Sequence, residues 1–289
     1  MTATAPPPDG LPSQPDTQPA AGGSTNRRRW WVHLILLSVY ILMIGLAGRE
    51  HRSAATHAPA LSHTAGGLLT VCIVQLLIFA AVLGLALTVS RASFDDLLLR
   101  WRHGFWTVPL GIGYSIAIRF AVGMIIMIVA VALVVLQVVT AQSLHQFLVA
   151  KGPQLEAIVD ISAMRQDPLY FWLTLTVVSF IVAGLREELW RSAFLAGLRS
   201  LWPQHFGSRS GQIVTVAIAA VLFGFGHLGL GLVTVFVTGL LGFGLGLIMV
   251  FHRSIWPAVI AHGMFDATSL ALLPWVAEKL PEIQQTFGH

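Results

Sequence analysis

The chain has 289 residues, of which 17 are Lys or Arg and 13 are Asp or Glu, so about 10% are charged while 55% are hydrophobic. A soluble domain carries roughly 25% charge, and a mean hydropathy of +0.76 excludes a disordered chain, a coiled coil and an ordinary cytosolic enzyme. The net charge of +4 holds no basic run longer than Arg27–Arg29, so no nucleic-acid partner is expected, and the single Cys72 excludes a disulfide framework and a cysteine zinc site.

Residues 1–29 are rich in Pro, Ala, Gly, Ser and Thr and end in three arginines, which predicts a disordered cytoplasmic tail followed by an uncleaved anchor. A membrane span takes about 20 apolar residues. Seven stretches qualify, which predicts an all-α, polytopic transmembrane helical bundle of about seven spans. The first is Trp30–Gly48 and the second Leu68–Val89. The third is expected near Phe120–Val139, with the preceding Pro109–Gly113 stretch at the interface and Arg119 snorkelling to a boundary. The segment 143–168 reads as an external loop. One long helix follows from about Leu169 to Arg199, then Gln212–Leu228, Leu232–Phe251 and Ile255–Trp275. The organisation is thus a tail (1–29), amino-terminal helices and loops (30–167), a helical core holding an intramembrane site on its last four helices (168–276) and a short polar tail (277–289). Tryptophans 30, 31, 101, 106, 172, 256 and 275 lie near span ends, as in an aromatic belt.

Loop arginines and lysines divide nine to five, with Arg27–Arg29, Arg91, Arg100, Arg102, Arg199, Arg209 and Arg253 on the richer side. That side is expected to be cytoplasmic, which predicts an integral protein of the cell membrane with its amino terminus inside.

Charges within the bilayer cost roughly 2.5–3.5 kcal/mol each on insertion scales, so the polar residues that accept this cost are the informative ones. The first cluster is Arg186-Glu187-Glu188-Leu189-Trp190-Arg191. Adjacent carboxylates diverge by about 100° on a helix, so the two are not expected to face one partner. Glu187 and Arg191, four apart, are expected to pair. The second cluster ends the run Phe223-Gly224-Phe225-Gly226-His227, and the third is His262-Gly263-Met264-Phe265-Asp266, where His262 and Asp266 share a helix face. A carboxylate beside histidines is a kit for activating water. Ser179 and Ser192 lack the context of a serine nucleophile, and the H-E-x-x-H zinc signature is absent.

The three clusters resemble the CPBP (CAAX protease and bacteriocin-processing, or Abi) family of intramembrane endopeptidases, which includes the type II CAAX prenyl endopeptidases. Phe223 to His227 match its F-x-x-x-H element and His262 to Asp266 its H-x-x-x-D element. Glu187-Glu188 followed by Arg191 is one residue shorter than its E-E-x-x-x-R element, which turns the arginine by about 100°. The resemblance covers roughly Leu169–Leu272. It implies an intramembrane endopeptidase acting on a peptide or membrane-protein substrate within the lipid bilayer. Glu187 would be the general base and His227 would hold the water. His262 and Asp266 would stabilise the tetrahedral intermediate or position substrate, with Glu188 and Arg191 supporting the first Glu. Glu187, His227 and His262 also number enough ligands for a catalytic zinc, and the same residues suit a metal-free site; the sequence leaves both open. A proton-coupled transporter or channel, and a non-catalytic membrane scaffold, are the other functions compatible with buried Glu and His.

Overall fold

The computed structural model describes residues 22–53, 62–151 and 159–287. Among them there is no strand, and seven helices are long and apolar enough to cross a membrane. Helix α1 (Gly22–Ser53) begins inside the stretch read as a tail and carries Arg27–Arg29 in its first turns. It is followed by α2 (Ala65–Ser90), α3 (Thr107–Val135), α4 (Ala141–Lys151) and α5 (Ile161–Gln166). Then come α6 (Pro168–Leu201), α7 (Arg209–Gly226), α8 (Leu232–His252) and α9 (Trp256–Phe287). The expected external loop at 143–168 thus includes two short helices, and the polar segment after 276 continues α9.

The third span differs from its expected position. Rather than an interfacial segment followed by a span at Phe120–Val139, a single helix runs from Thr107. Pro109 lies in its first turn, where a missing N–H costs nothing because that donor has no intrahelical acceptor. Helix starts elsewhere are fixed by side chains. Thr64 accepts from the Gly67 amide, Ser208 from Gly211, and Asp167 caps α6 with Pro168 behind it.

Helix α6 is the axis of the bundle. Its first part packs on α9 and its last part on α1 and α7, while α9 also packs on α3 and α7 on α8. Between Thr174 and Leu185 it is wound as a π-helix, and the buried Ser179 hydroxyl donates to the Thr174 carbonyl five residues back. Such widened turns recur at functional sites. From Trp190 to Leu198 every residue is buried. By contrast α3 leaves Phe120, Met124, Met127, Ile128 and Val131 exposed, a face suited to lipid. Trp31, Trp101, Trp106, Trp172 and Trp275 are exposed as a belt requires, but Trp30 is buried and Trp256 donates to the Leu99 carbonyl.

The loop between α2 and α3 folds inward and sets the level of α9. Leu97 and Leu98 are buried, the Ser192 hydroxyl donates to the Leu97 carbonyl, and Arg199 donates to the Asp96 carbonyl. On its other side the loop receives the Ile255 amide at Leu98, the Trp256 indole at Leu99 and the Ser254 hydroxyl at Arg100. The start of α9 is therefore tied through this loop to the last third of α6. Six residues on from Trp256 reach His262, about 9 Å along α9, and four back from Ser192 reach Glu188, about 6 Å along α6.

Candidate active site

Polar side chains from α6 and α9 meet at that level. Glu188 and Arg191 are fully buried and form a close ion pair on adjacent turns. The other Glu188 oxygen accepts from His262 Nδ1 at 2.9 Å. The opposite ring nitrogen, Nε2, faces two further carboxylates, with Glu187 at 3.8 Å and Asp266 at 3.7 Å. Glu187 is in turn held by Arg186 at 2.9 Å, whose other nitrogen donates to Gln75 on α2 at 2.9 Å. His262 is 3% exposed, Glu187 14% and Asp266 28%, so the edge formed by Nε2, Glu187 and Asp266 is the open one and the Glu188–Arg191 edge is sealed.

Two expectations are corrected here. Arg191 pairs with Glu188, not Glu187. Residues three apart are neighbours on a helix just as those four apart are, and Arg186 already occupies Glu187. Adjacent carboxylates also do share one partner, because an imidazole presents nitrogens on two edges and each carboxylate takes one. The short E-E-x-x-R spacing is thereby accommodated, with the arginine serving the inner glutamate. Its guanidinium lies over the Phe223 ring at 4.4 Å, and its nitrogens make no hydrogen bond of regular geometry. Gly242 makes room for this stack: a Cβ there would come within 2.8 Å of the Phe223 ring and 3.3 Å of Arg191 Nη2.

His227 is not mid-helix. It follows the last residue of α7 and faces back along it. Its Nδ1 is 2.9 Å from the Phe223 carbonyl. A carbonyl only accepts, so Nδ1 carries the proton and Nε2 is left as an acceptor. The Phe223 ring stands 4.7 Å from His227 and 6.3 Å from His262, and Asp266 lies within electrostatic range of His227. The second cluster thus borders the first and third through Phe223.

Among the described residues no three His, Cys, Asp or Glu side chains are grouped as metal ligands, while the bond from His262 Nδ1 to Glu188 leaves Nε2 turned toward Glu187 and Asp266. Ser179 and Ser192 are both tied to carbonyls, unlike free nucleophiles.

Arg119 is a correction of a different kind. It does not snorkel to a boundary. It donates to the Phe265 carbonyl at 2.9 Å, Thr268 at 2.6 Å and Ser269 at 3.2 Å, and lies 4.4 Å over the Phe265 ring. It is thus pinned to α9 beside Asp266. Its lack of any charged neighbour in α3 was the available signal, as was Gln75, the only amide side chain in α2.

Residues 168–268 match the family described as type II CAAX prenyl endopeptidase Rce1-like. The match covers about a third of the chain and spans all three polar clusters. No curated protein and no solved structure matches the chain.

Proposed function

We propose, from the Rce1-like character of residues 168–268, that this membrane protein is an intramembrane endopeptidase of the CAAX-protease type that hydrolyses peptide bonds with water activated by Glu187. The observation that carries the reading is the convergence of Glu187 and Asp266 on one nitrogen of His262 while Glu188 holds the other.

Separations of 3.7 and 3.8 Å are too long for direct hydrogen bonds. They suit a water seated beside the line between the groups, within about 2.8 Å of each. Glu187, steadied by Arg186, takes a proton from that water as its oxygen attacks the scissile carbonyl. His262, oriented by Glu188, donates from Nε2 toward the oxyanion that forms. Glu187 then returns its proton to the leaving amine. Asp266 faces the same nitrogen at 3.7 Å and places a second carboxylate beside the attacking water. His227, with Nε2 free to accept, orients the substrate or the water from the α7 side. Glu188 and Arg191 are positioning residues. A prenylated CAAX-type peptide is the substrate class the family name suggests. The arginine-rich face, where α1 begins, is cytoplasmic in this reading.

The test uses the full chain in nanodiscs with a quenched, farnesylated CAAX-terminated peptide. Glu187→Gln and His262→Asn should each lower cleavage by about 10²–10⁴-fold, the scale of general acid–base catalysis, with thermal unfolding retained. Cleavage at the wild-type rate by folded Glu187→Gln overturns the reading.

A further inference from the structure

A second polar feature lies at the arginine-rich end of the bundle, away from the acidic site. A cavity of about 370 Å³ opens where the loop after α2 meets the end of α6, the start of α7 and the end of α8. Arg102, Arg199, Arg209 and Arg253 line it, with Asp95 and Gln212. These four cations come from four different places in the chain and converge on one space.

Their local partners do not neutralise them. Asp95 is the single carboxylate in the lining, and Arg100 already holds it at 2.5 Å, with Arg102 more distant at 3.5 Å. The neighbouring Asp96 carboxylate turns back to the Ser93 amide and hydroxyl. Arg102 and Arg199 spend donors on backbone carbonyls, of Arg253 and Asp96 respectively, which fixes their guanidinium groups, while the Asp95 and Asp96 carboxylates offset only part of the charge gathered there. Arg209 lies 5.0 Å over the Phe251 ring. Arg253, on a left-handed backbone at φ 50°, makes no ion pair among the described residues. The first turn of α7 adds to the field. Ser208 satisfies the Gly211 amide, while Arg209 and Gln212 of the same turn face the cavity, where the helix carries its partial positive charge.

Like charges gathered around a cavity repel unless an anion joins them. Several arginine forks with a helix amino terminus match the oxygens of a phosphate group best. We propose that this cavity is a binding site for a phosphate-bearing anion at the membrane surface, supplied either by the headgroup of an anionic lipid or by free phosphate. The exposed Phe251 lines the same cavity, so an apolar surface adjoins the arginines as the glycerol and upper chains of a lipid would require. The site is independent of the hydrolytic reading, since none of its residues touches Glu187, His262 or Asp266.

The experiment measures thermal unfolding of the full chain in nanodiscs of phosphatidylcholine alone, of phosphatidylcholine with phosphatidylglycerol, and of phosphatidylcholine with millimolar inorganic phosphate against chloride at equal ionic strength. A ligand that binds the folded state raises Tm by a few degrees when near saturation. The expected gain occurs with phosphatidylglycerol if the source is lipid, and with inorganic phosphate in neutral discs if it is free anion. The variant R209Q/R253Q should lose more than half of the gain, while R28Q/R91Q, matched in charge on the same side of the bundle, should keep it. If the first variant does not fold, R209Q alone makes the same comparison, because its guanidinium contacts only a ring. No gain in either arm, or equal loss in both double variants, overturns the proposal, the latter by reducing it to diffuse surface charge.

Discussion

His33 in α1 and His262 in α9 are both buried, yet their surroundings differ in kind. His33 directs one ring nitrogen at the Ala86 carbonyl at 3.0 Å and the other at the Ala193 carbonyl at 2.9 Å, so it braces α1 to α2 and α6. His262 directs its nitrogens at Glu188 on one edge and at Glu187 and Asp266 on the other. Backbone carbonyls have fixed positions and exchange no protons, so the first arrangement ties three helices together. Carboxylates exchange protons, so the second can do chemistry. Burial of a polar residue in an apolar helix therefore does not distinguish a strut from a site; the nature of its partners does.

The sharpest way to break that contrast is to replace both rings. His262→Asn should abolish peptide cleavage, by about 10²-fold or more, and leave the bundle folded. His33→Asn should keep catalysis per folded molecule and lower Tm, read by thermal unfolding beside the cleavage assay. Equal loss of activity in the two variants would erase the distinction. Next in size is Arg191→Met, which leaves Glu188 buried without its cation. Losing one partner of a buried pair costs about 3–5 kcal/mol, so a large fall in Tm is expected, and Glu188→Gln with Arg191→Met should recover part of it. Arg119→Gln should reduce kcat about tenfold, the scale of one charge-assisted hydrogen bond, and lower Tm as well, because α3 loses its grip on α9. Recovery by Arg119→Lys would indicate that charge beside Asp266 matters more than the three-way grip.

The smallest effect concerns Asp160, outside the spans. Its bond to His63, with help from the Ala163 amide, lowers its pKa from 3.8 to about 2. A lowered carboxylate pKa means that the folded state gains over the unfolded one above about pH 4, and that this gain fades as pH falls toward 2. Asp160→Asn should remove that gain, so Tm falls near neutrality while the part of a Tm-against-pH curve between about pH 4 and 2 flattens.

Much of the bundle was legible because the cost of exposing polar groups to lipid forces long apolar runs, and all seven were visible. The level of the site was legible only loosely. The pairing of Arg191 was missed for a local reason: a helix offers an arginine two acidic neighbours, three and four residues away, and only the occupancy of Glu187 by Arg186 decides between them. Arg119 was missed because a single arginine in an apolar helix carries no record of which neighbour it grips.

The π-wound stretch of α6 carries a genetic corollary. Thr174–Leu185 is apolar, so an in-frame loss of one codon there would look harmless by composition. Yet a chain shortened by one residue while keeping its present winding would turn everything beyond by roughly a quarter of a circle. The acidic pair would be carried past the ring it now straddles, so this bland-looking segment should tolerate substitutions far better than deletions.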